Sequence, residues 1–147
     1  MAELLNDQIQ GQIKELFGNL KEPVQIMFFG TKEECQYCED TLQLVQEVSA
    51  LSDKLSLSVH DIQADADTAT LFKVDKTPGL VLAGKDEGQV TDFGVRYAGI
   101  PSGHEFSSFI NDIVTVSNRD SGLTPQTREF LKGLTKPIHL QVFVTPT

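Results

Sequence analysis

The sequence contains no tryptophan, only two cysteines and few basic residues. Twelve Lys and Arg stand against 21 Asp and Glu, which gives a formal net charge of −9. Nucleic acids and anionic lipid surfaces are bound by basic patches, so we expect neither a nucleic-acid nor a membrane partner. No apolar stretch approaches the roughly 20 residues that are needed to cross a bilayer.

The amino terminus also lacks the features of a secretory signal. Residues 1–10 have neither a basic start nor an apolar segment, so we expect a cytoplasmic location. In a reducing compartment, two cysteines close together in the chain indicate catalysis or metal binding rather than a permanent structural disulfide.

What is present is typical of a folded α/β domain of 147 residues, with a hydrophobic fraction of 39% and nine Phe. Hydrophobic periodicity predicts elements in the order α-β-α-β-α-β-β-α. Their ranges are helix 6–20, strand 24–30, a helix opened by the cysteines, strand 54–62, helix 69–74, strands 77–84 and 90–99, and helix 101–117. In the second strand, Leu55, Leu57 and Val59 are predicted to point inward.

The connections predict how the strands pair. The first two strands are joined through a helix and should be parallel, whereas the last two are joined by a short turn and should be antiparallel. The predicted fold is therefore a mixed four-stranded sheet flanked by helices.

A second copy of the amino-terminal pattern follows this unit. The segment Glu15–Thr31 matches Glu129–Thr145 at a constant offset of 114 positions, which aligns Pro23 with Pro137 and Phe29 with Phe143. Such a period indicates a repeated structural unit, although chance similarity between two helix-then-strand segments is the alternative. At this offset, a second cysteine site would begin just after Thr147. We therefore expect a unit at 1–117, a linker at 118–124, and the first helix and strand of a second, truncated unit at 125–147.

The two cysteines lie in the sequence "CQYC", with Cys35 and Cys38 three positions apart. This spacing at the start of a helix brings the two sulfurs within reach of a disulfide. A cysteine at a helix amino terminus faces free N–H groups that stabilise a thiolate. We expect Cys35 to be the nucleophile that attacks a substrate disulfide and Cys38 to resolve the mixed disulfide.

Charged residues surround the pair. The acids are Glu33, Glu34, Glu39 and Asp40. Negative neighbours such as Glu34 and Glu39 disfavour a thiolate, and Lys32 opposes them. We therefore expect these three side chains to tune the pKa of Cys35, with a weaker depression than a neutral or basic site would give.

A proline follows the short third helix in "KTPG". In the fold that this order of elements resembles, the position normally carries a cis proline beside the cysteines. We therefore expect a cis peptide bond before Pro78, which would leave the Thr77 backbone free to pair with an extended substrate strand. An ordinary trans proline at the start of an edge strand is the alternative.

These motifs resemble the thioredoxin superfamily, and "CQYC", "KTPG", "DFGVRYAGIPSGHEF" and "VFVTPT" resemble its protein disulfide oxidoreductases, also called glutaredoxin-like proteins. The resemblance implies a thioredoxin-like fold and an enzyme that exchanges disulfides with protein substrates. It also implies no cofactor in the chain and electrons from a thioredoxin-reductase-like flavoprotein. Cys35, Cys38 and Pro78 match the functional pattern of the family. One departure is Phe29, which stands six residues before Cys35, where many thioredoxins have a buried Asp.

Two rival hypotheses remain open at this point. The chain could be a non-catalytic docking or structural unit of a two-unit redox protein. It could also be a metal or cluster scaffold, although His60, His104 and His139 are not paired at ligand spacing, so we predict no metal ligands. The apolar segment Ile138–Val144 is in addition expected to favour a dimer by pairing with a neighbouring chain.

The acidic surroundings predict a reducing redox couple. A less stabilised thiolate makes the dithiol less favoured relative to the disulfide, which lowers the reduction potential of the pair. A redox titration should therefore place the Cys35–Cys38 couple toward the reducing end of the known range. A potential near the oxidising extreme, about −120 mV, would contradict this prediction.

Overall fold

The computed structural model describes residues 3–145. The helices are α1 (Asp7–Phe17), α2 (Cys38–Ser49), α3 (Ala66–Leu71), α4 (His104–Asn118) and α5 (Pro125–Lys132). The strands are β1 (Val24–Gly30), β2 (Leu55–Asp61), β3 (Gly79–Asp86) and β4 (Gln89–Ala98). The predicted order of elements is confirmed.

The four strands form one mixed sheet in the order β2-β1-β3-β4. Strand β1 pairs in parallel with β2 and antiparallel with β3, and β3 pairs antiparallel with β4. The turn between β3 and β4 contains Glu87 and Gly88, both at positive φ, a conformation that suits the twist of a tight hairpin. The predicted α/β architecture with a mixed sheet is therefore confirmed.

Strand β1 is buried along its whole length because helices cover both faces of the sheet. Val24, Ile26 and Phe28 belong to the larger core cluster, which also contains buried residues of α1, α2 and α4. Met27 and Phe29 belong to a smaller cluster with residues of α3. The alternation along β1 thus decides which side chains share a face of the sheet with the cysteines.

Strand β4 contains a β-bulge. Leu82 pairs with Val95, but the next residue of β3, Ala83, pairs with Asp92, so Phe93 and Gly94 are extra residues on β4. Gly94 has a φ of +82°, which glycine adopts readily because it has no Cβ. The bulge therefore shifts the register of β4 and redirects its first half.

Three sequence-based expectations differ from the structure. Helix α2 begins at Cys38, so Cys35 lies in the turn before it rather than in its first turn. The short helix lies at Ala66–Leu71 instead of 69–74, and Lys73, with a φ of +54°, ends the helical path. Val59 was expected to be inward but is 54% exposed, because β2 is an edge strand.

The carboxyl-terminal segment is formed only in part. Helix α5 is present, with the Thr124 side chain accepting a hydrogen bond from the Thr127 N–H as its cap. The expected strand is not formed within the described range, because residues 138–144 have no partner strand to complete their backbone hydrogen bonds. Pro146 and Thr147, the last residues of the predicted second unit, lie outside the described residues. The domain boundaries at 117 and 125 stay a prediction.

Candidate functional site: the Cys35–Cys38 disulfide

Cys35 and Cys38 form a disulfide, and their Cα atoms are 5.4 Å apart. Cys35 lies in the turn that leads into α2 and is partly exposed, whereas Cys38 is the first residue of the helix and is 8% exposed. The Cys38 N–H donates to the Cys35 carbonyl, 3.4 Å away, which closes the turn between them. The pair is therefore asymmetric: Cys35 is a partly exposed residue at the edge of the core, and Cys38 is a buried residue of the core.

The end of β1 fixes the position of Cys38. A Cβ built on Gly30 would lie 3.5 Å from the Cys38 Sγ and 2.7 Å from the Phe28 ring. Because Gly30 has no side chain, the backbone of β1 passes close to the sulfur while the Phe28 ring packs beside it. The sequence pattern predicts Gly30 only as the last residue of a strand and does not indicate this close contact.

The amino terminus of α2 is occupied by acids. Tyr37 precedes the helix and makes no side-chain cap, and Glu39 and Asp40 lie in the first turn. Acidic side chains are stabilised there by the helix dipole and the free N–H groups. These acids therefore have a structural reason to be present, and they reduce the positive field that Cys35 would otherwise experience.

The three predicted pKa-modulating residues all lie on the surface around the disulfide. Lys32, the only base among them, interacts electrostatically with Asp61 at the end of β2. The pKa of Asp61 is held below its ordinary value mainly by hydrogen bonds from the Ala64 and Gln63 N–H groups, and to a smaller extent by Lys32. Lys32 thus acts electrostatically on an acid of β2 and lies on the same surface as Glu34 and Glu39.

A groove beside Cys38 was not predicted from the sequence. It is lined by the apolar side chains of Phe28, Leu42 and Val59, together with the charged residues Lys32, Glu39 and Asp61. The exposed Val59 side chain forms part of the groove wall. The observation that could have revealed the groove is the edge position of β2, which sequence periodicity does not show.

The segment before β3 contains the second predicted element of the site. The Thr77–Pro78 peptide bond is cis, as predicted. The Pro78 carbonyl accepts a hydrogen bond from the Gly99 N–H at 2.8 Å, but no hydrogen bond of the Thr77 backbone forms within residues 3–145. Thr77 lines an open depression together with Glu33 and Glu34, the two residues that precede Cys35. The structure therefore brings the Thr77 segment and the cysteine turn to one surface.

Phe29 does not face the cysteines. Its ring lies in the core cluster on the α3 side of the sheet and stacks on His60, with ring centroids 4.9 Å apart. Phe28, one residue earlier, is the aromatic ring next to Cys38. Strand alternation thus places Phe29 on the opposite face from the position that the resemblance suggested.

Among the described residues, no group of three or more His, Cys, Asp and Glu side chains is arranged to hold a metal ion. Within residues 3–145, no helix has the length and apolar character needed to span a membrane.

Comparison with known proteins gives consistent relatives, although no protein-family model matches the chain. The F subunit of alkyl hydroperoxide reductase of Staphylococcus aureus (strain Mu50) is 27% identical over 145 residues, which are 98% of this chain and 25% of that protein. A protein disulfide oxidoreductase from Aeropyrum pernix K1 superposes with a TM-score of 0.76 and 29% identity, covering 88% of this chain and 55% of that one. The F subunit of alkyl hydroperoxide reductase from Enterococcus faecalis (V583) superposes with a TM-score of 0.77 and 21% identity, covering 90% of this chain and 62% of that one.

The architecture and the disulfide define a thioredoxin-fold protein with a CxxC pair. Within this class, the chain resembles a protein disulfide oxidoreductase and the F subunit of alkyl hydroperoxide reductase. The chain spans about a quarter of the length of the curated relatives it matches. These relatives and the CxxC pair support thiol–disulfide exchange in general terms.

Replacement of Gly30 tests whether close packing holds the buried cysteine. In Gly30→Ala, the new Cβ would overlap the buried Phe28 ring, so we expect a loss of about 1–3 kcal/mol in the free energy of unfolding. Urea denaturation of the oxidised protein measures this loss.

The matched control for this variant is Gly11→Ala, because Gly11 lies in α1 and a Cβ there meets nothing within 4 Å. The control should gain about 0.5–1 kcal/mol from the higher helix propensity of alanine. Equal stability changes in the two variants would show that Gly30 is not needed for packing at the site.

Proposed function

We propose that this chain is a dithiol–disulfide oxidoreductase that exchanges disulfides with protein substrates through Cys35 and Cys38. The observation that carries the proposal is the asymmetry of the pair: Cys35 is partly exposed in a turn, and Cys38 is buried directly behind it. A static structural disulfide has no need of one reachable sulfur, whereas exchange by attack of a thiolate requires it.

The proposed reaction begins with the reduced pair. The Cys35 thiolate attacks one sulfur of a substrate disulfide, so that a Cys35–substrate bond forms, the substrate S–S bond breaks and the leaving sulfur takes a proton. Cys38 then loses its proton and attacks the Cys35 sulfur, which forms the intramolecular disulfide and releases the second substrate thiol. Two electrons and two protons pass to the substrate. A thioredoxin-reductase-like flavoprotein is the proposed electron donor that restores the dithiol.

The Thr77–Pro78 segment is proposed to bind the substrate backbone. Thr77 borders the same depression as Glu33 and Glu34, and its backbone groups make no hydrogen bond to the rest of the described chain. An extended substrate strand that pairs with Thr77 would therefore pass close to Cys35. We propose a cytoplasmic location for this chemistry.

We also infer that residues 125–147 begin a second unit of the same fold. Phe17, Val24 and Ile26 are buried in the first unit, whereas the residues 114 positions later are exposed. These exposed residues are Leu131, Ile138 and Leu140. Apolar side chains at such positions need a covering surface, which the remainder of a second unit or the equivalent strand of a neighbouring chain would supply.

The activity is tested by the reduction of insulin with dithiothreitol. The wild-type chain should accelerate the reaction, and Cys35→Ser should abolish the acceleration because no nucleophile remains. A wild-type rate no faster than the uncatalysed reaction would overturn the proposal and leave a non-catalytic docking unit.

The roles of the two cysteines are tested by trapping. Cys38→Ser should accumulate mixed disulfides through Cys35, detected on non-reducing gels, since the resolving thiol is missing. Cys35→Ser is the matched control and should trap none. Equal trapping by both variants would contradict the assigned roles.

A further inference from the structure

Arg96 of β4 contacts Phe72, the residue that follows α3, and Asp92 of its own strand. Its Nε donates to the Phe72 carbonyl at 2.6 Å, and its guanidinium carbon lies 6.0 Å from the centre of the Phe72 ring. Its Nη1 and Nη2 donate to the two carboxylate oxygens of Asp92 at 2.8 and 2.6 Å. The side chain is 24% exposed, so these bonds are partly shielded from water.

The bulge in β4 makes the Asp92 contact feasible. In a regular strand, residues four apart are separated by about 13 Å along the strand, too far for a direct ion pair between Asp92 and Arg96. The extra residues Phe93 and Gly94 shorten this path, and the Gly94 N–H donates to the Asp92 carboxylate at 2.8 Å. The side-chain hydrogen bond from Arg96 is the main cause that holds the pKa of Asp92 below its ordinary value, so the Asp92 carboxylate keeps its charge at neutral pH.

The backbone that Arg96 holds leads directly to the proposed substrate-binding segment. Phe72 ends α3, and the chain then runs through a turn at Lys73 to Thr77 and Pro78. The residue that follows β4 holds the far end of this connection, because the Gly99 N–H donates to the Pro78 carbonyl. Arg96 and Gly99 therefore fix the connection at its beginning and its end.

The connection has little freedom to adjust between these two points. The Val74 N–H donates to the Ala69 carbonyl at 2.8 Å, which closes the turn after α3. A Cβ on Gly79 would lie only 2.7 Å from both the Val74 side chain and the Lys76 carbonyl. A shift of Phe72 would therefore be passed on toward Thr77 rather than absorbed by loose packing.

We propose that Arg96 is a positioning residue for substrate binding, which holds the Phe72–Pro78 connection so that the Thr77 backbone faces an incoming peptide beside Cys35. This inference rests on the proposed function. Arg96 itself contacts neither cysteine nor substrate. Its loss should weaken the binding of extended protein disulfides and leave the intrinsic reactivity of the cysteines unchanged.

The chain contains a matched control in Arg119. It donates to the carbonyls of Val116 and Pro23, pairs with Asp86 at 2.8 Å, and lies 5.6 Å from the centre of the Phe93 ring. These contacts have the same chemistry as those of Arg96. The two arginines differ in their location. Asp86 is the last residue of β3, whereas Pro78 precedes Gly79, the first residue of that strand. Arg119 therefore lies at the end of β3 that is far from the Thr77–Pro78 segment.

The test compares Arg96→Lys with Arg119→Lys. Lysine keeps the charge but cannot bond a carbonyl and both carboxylate oxygens in the planar geometry of arginine. For the reduction of insulin at a fixed dithiothreitol concentration, Arg96→Lys should raise KM about five- to tenfold with kcat within about twofold. Arg119→Lys should leave both constants within about twofold of wild type.

A small-molecule disulfide separates positioning from chemistry. The reduced variants should both react with dithionitrobenzoate within about twofold of the wild-type rate, because this reagent makes no extended backbone pairing. Asp92→Asn and Asp86→Asn provide a second matched pair that breaks each ion pair with almost no change in volume. Urea denaturation confirms that each variant is folded under the assay conditions.

Two results would overturn the inference. An insulin KM within twofold of wild type in both Arg96→Lys and Asp92→Asn would show that the contacts of Arg96 do not position Thr77. An equal rise in KM in the Arg119 and Asp86 variants would show that the weaker insulin binding comes from a general loss of stability and not from Arg96. A wild-type chain without insulin reductase activity would instead refute the proposed function, and this inference would fall with it.

Discussion

The site depends on where α2 begins. Because the helix starts at Cys38, the first cysteine remains in a surface turn while the second enters the core against Phe28 and Gly30. The start of α2 therefore coincides with the change from a partly exposed cysteine to a buried one.

The acidity around the cysteines has two physical consequences that act together. Glu39 and Asp40 stabilise the start of α2 through the helix dipole, and the same charges reduce the stabilisation available to a thiolate at Cys35. The positive charge of Lys32 opposes this effect. The charge pattern is thus consistent with a helix that is well anchored and a cysteine pair that favours its disulfide.

The sequence predicted those features that local patterns determine. The apolar run of β1, the parallel pairing of β1 with β2, the antiparallel pairing of β3 with β4 and the cis bond before Pro78 were each signalled by periodicity, by a connection or by a motif. The groove near Val59 was not predicted, because alternation shows that a strand has two faces but not whether it lies at a sheet edge. The Arg96–Asp92 pair was also missed, since it depends on a bulge whose register appears only when β3 and β4 are aligned. The strand expected at residues 138–144 requires a partner that periodicity alone cannot supply.

Differential alkylation measures whether Cys35 is accessible while Cys38 is shielded. The reduced chain is treated with limiting iodoacetamide at neutral pH, and the labelled sites are located by peptide mass spectrometry. We expect Cys35 to be modified at least about tenfold faster than Cys38, because only Cys35 lies in a partly exposed turn. Equal labelling of the two cysteines, or faster labelling of Cys38, would contradict it.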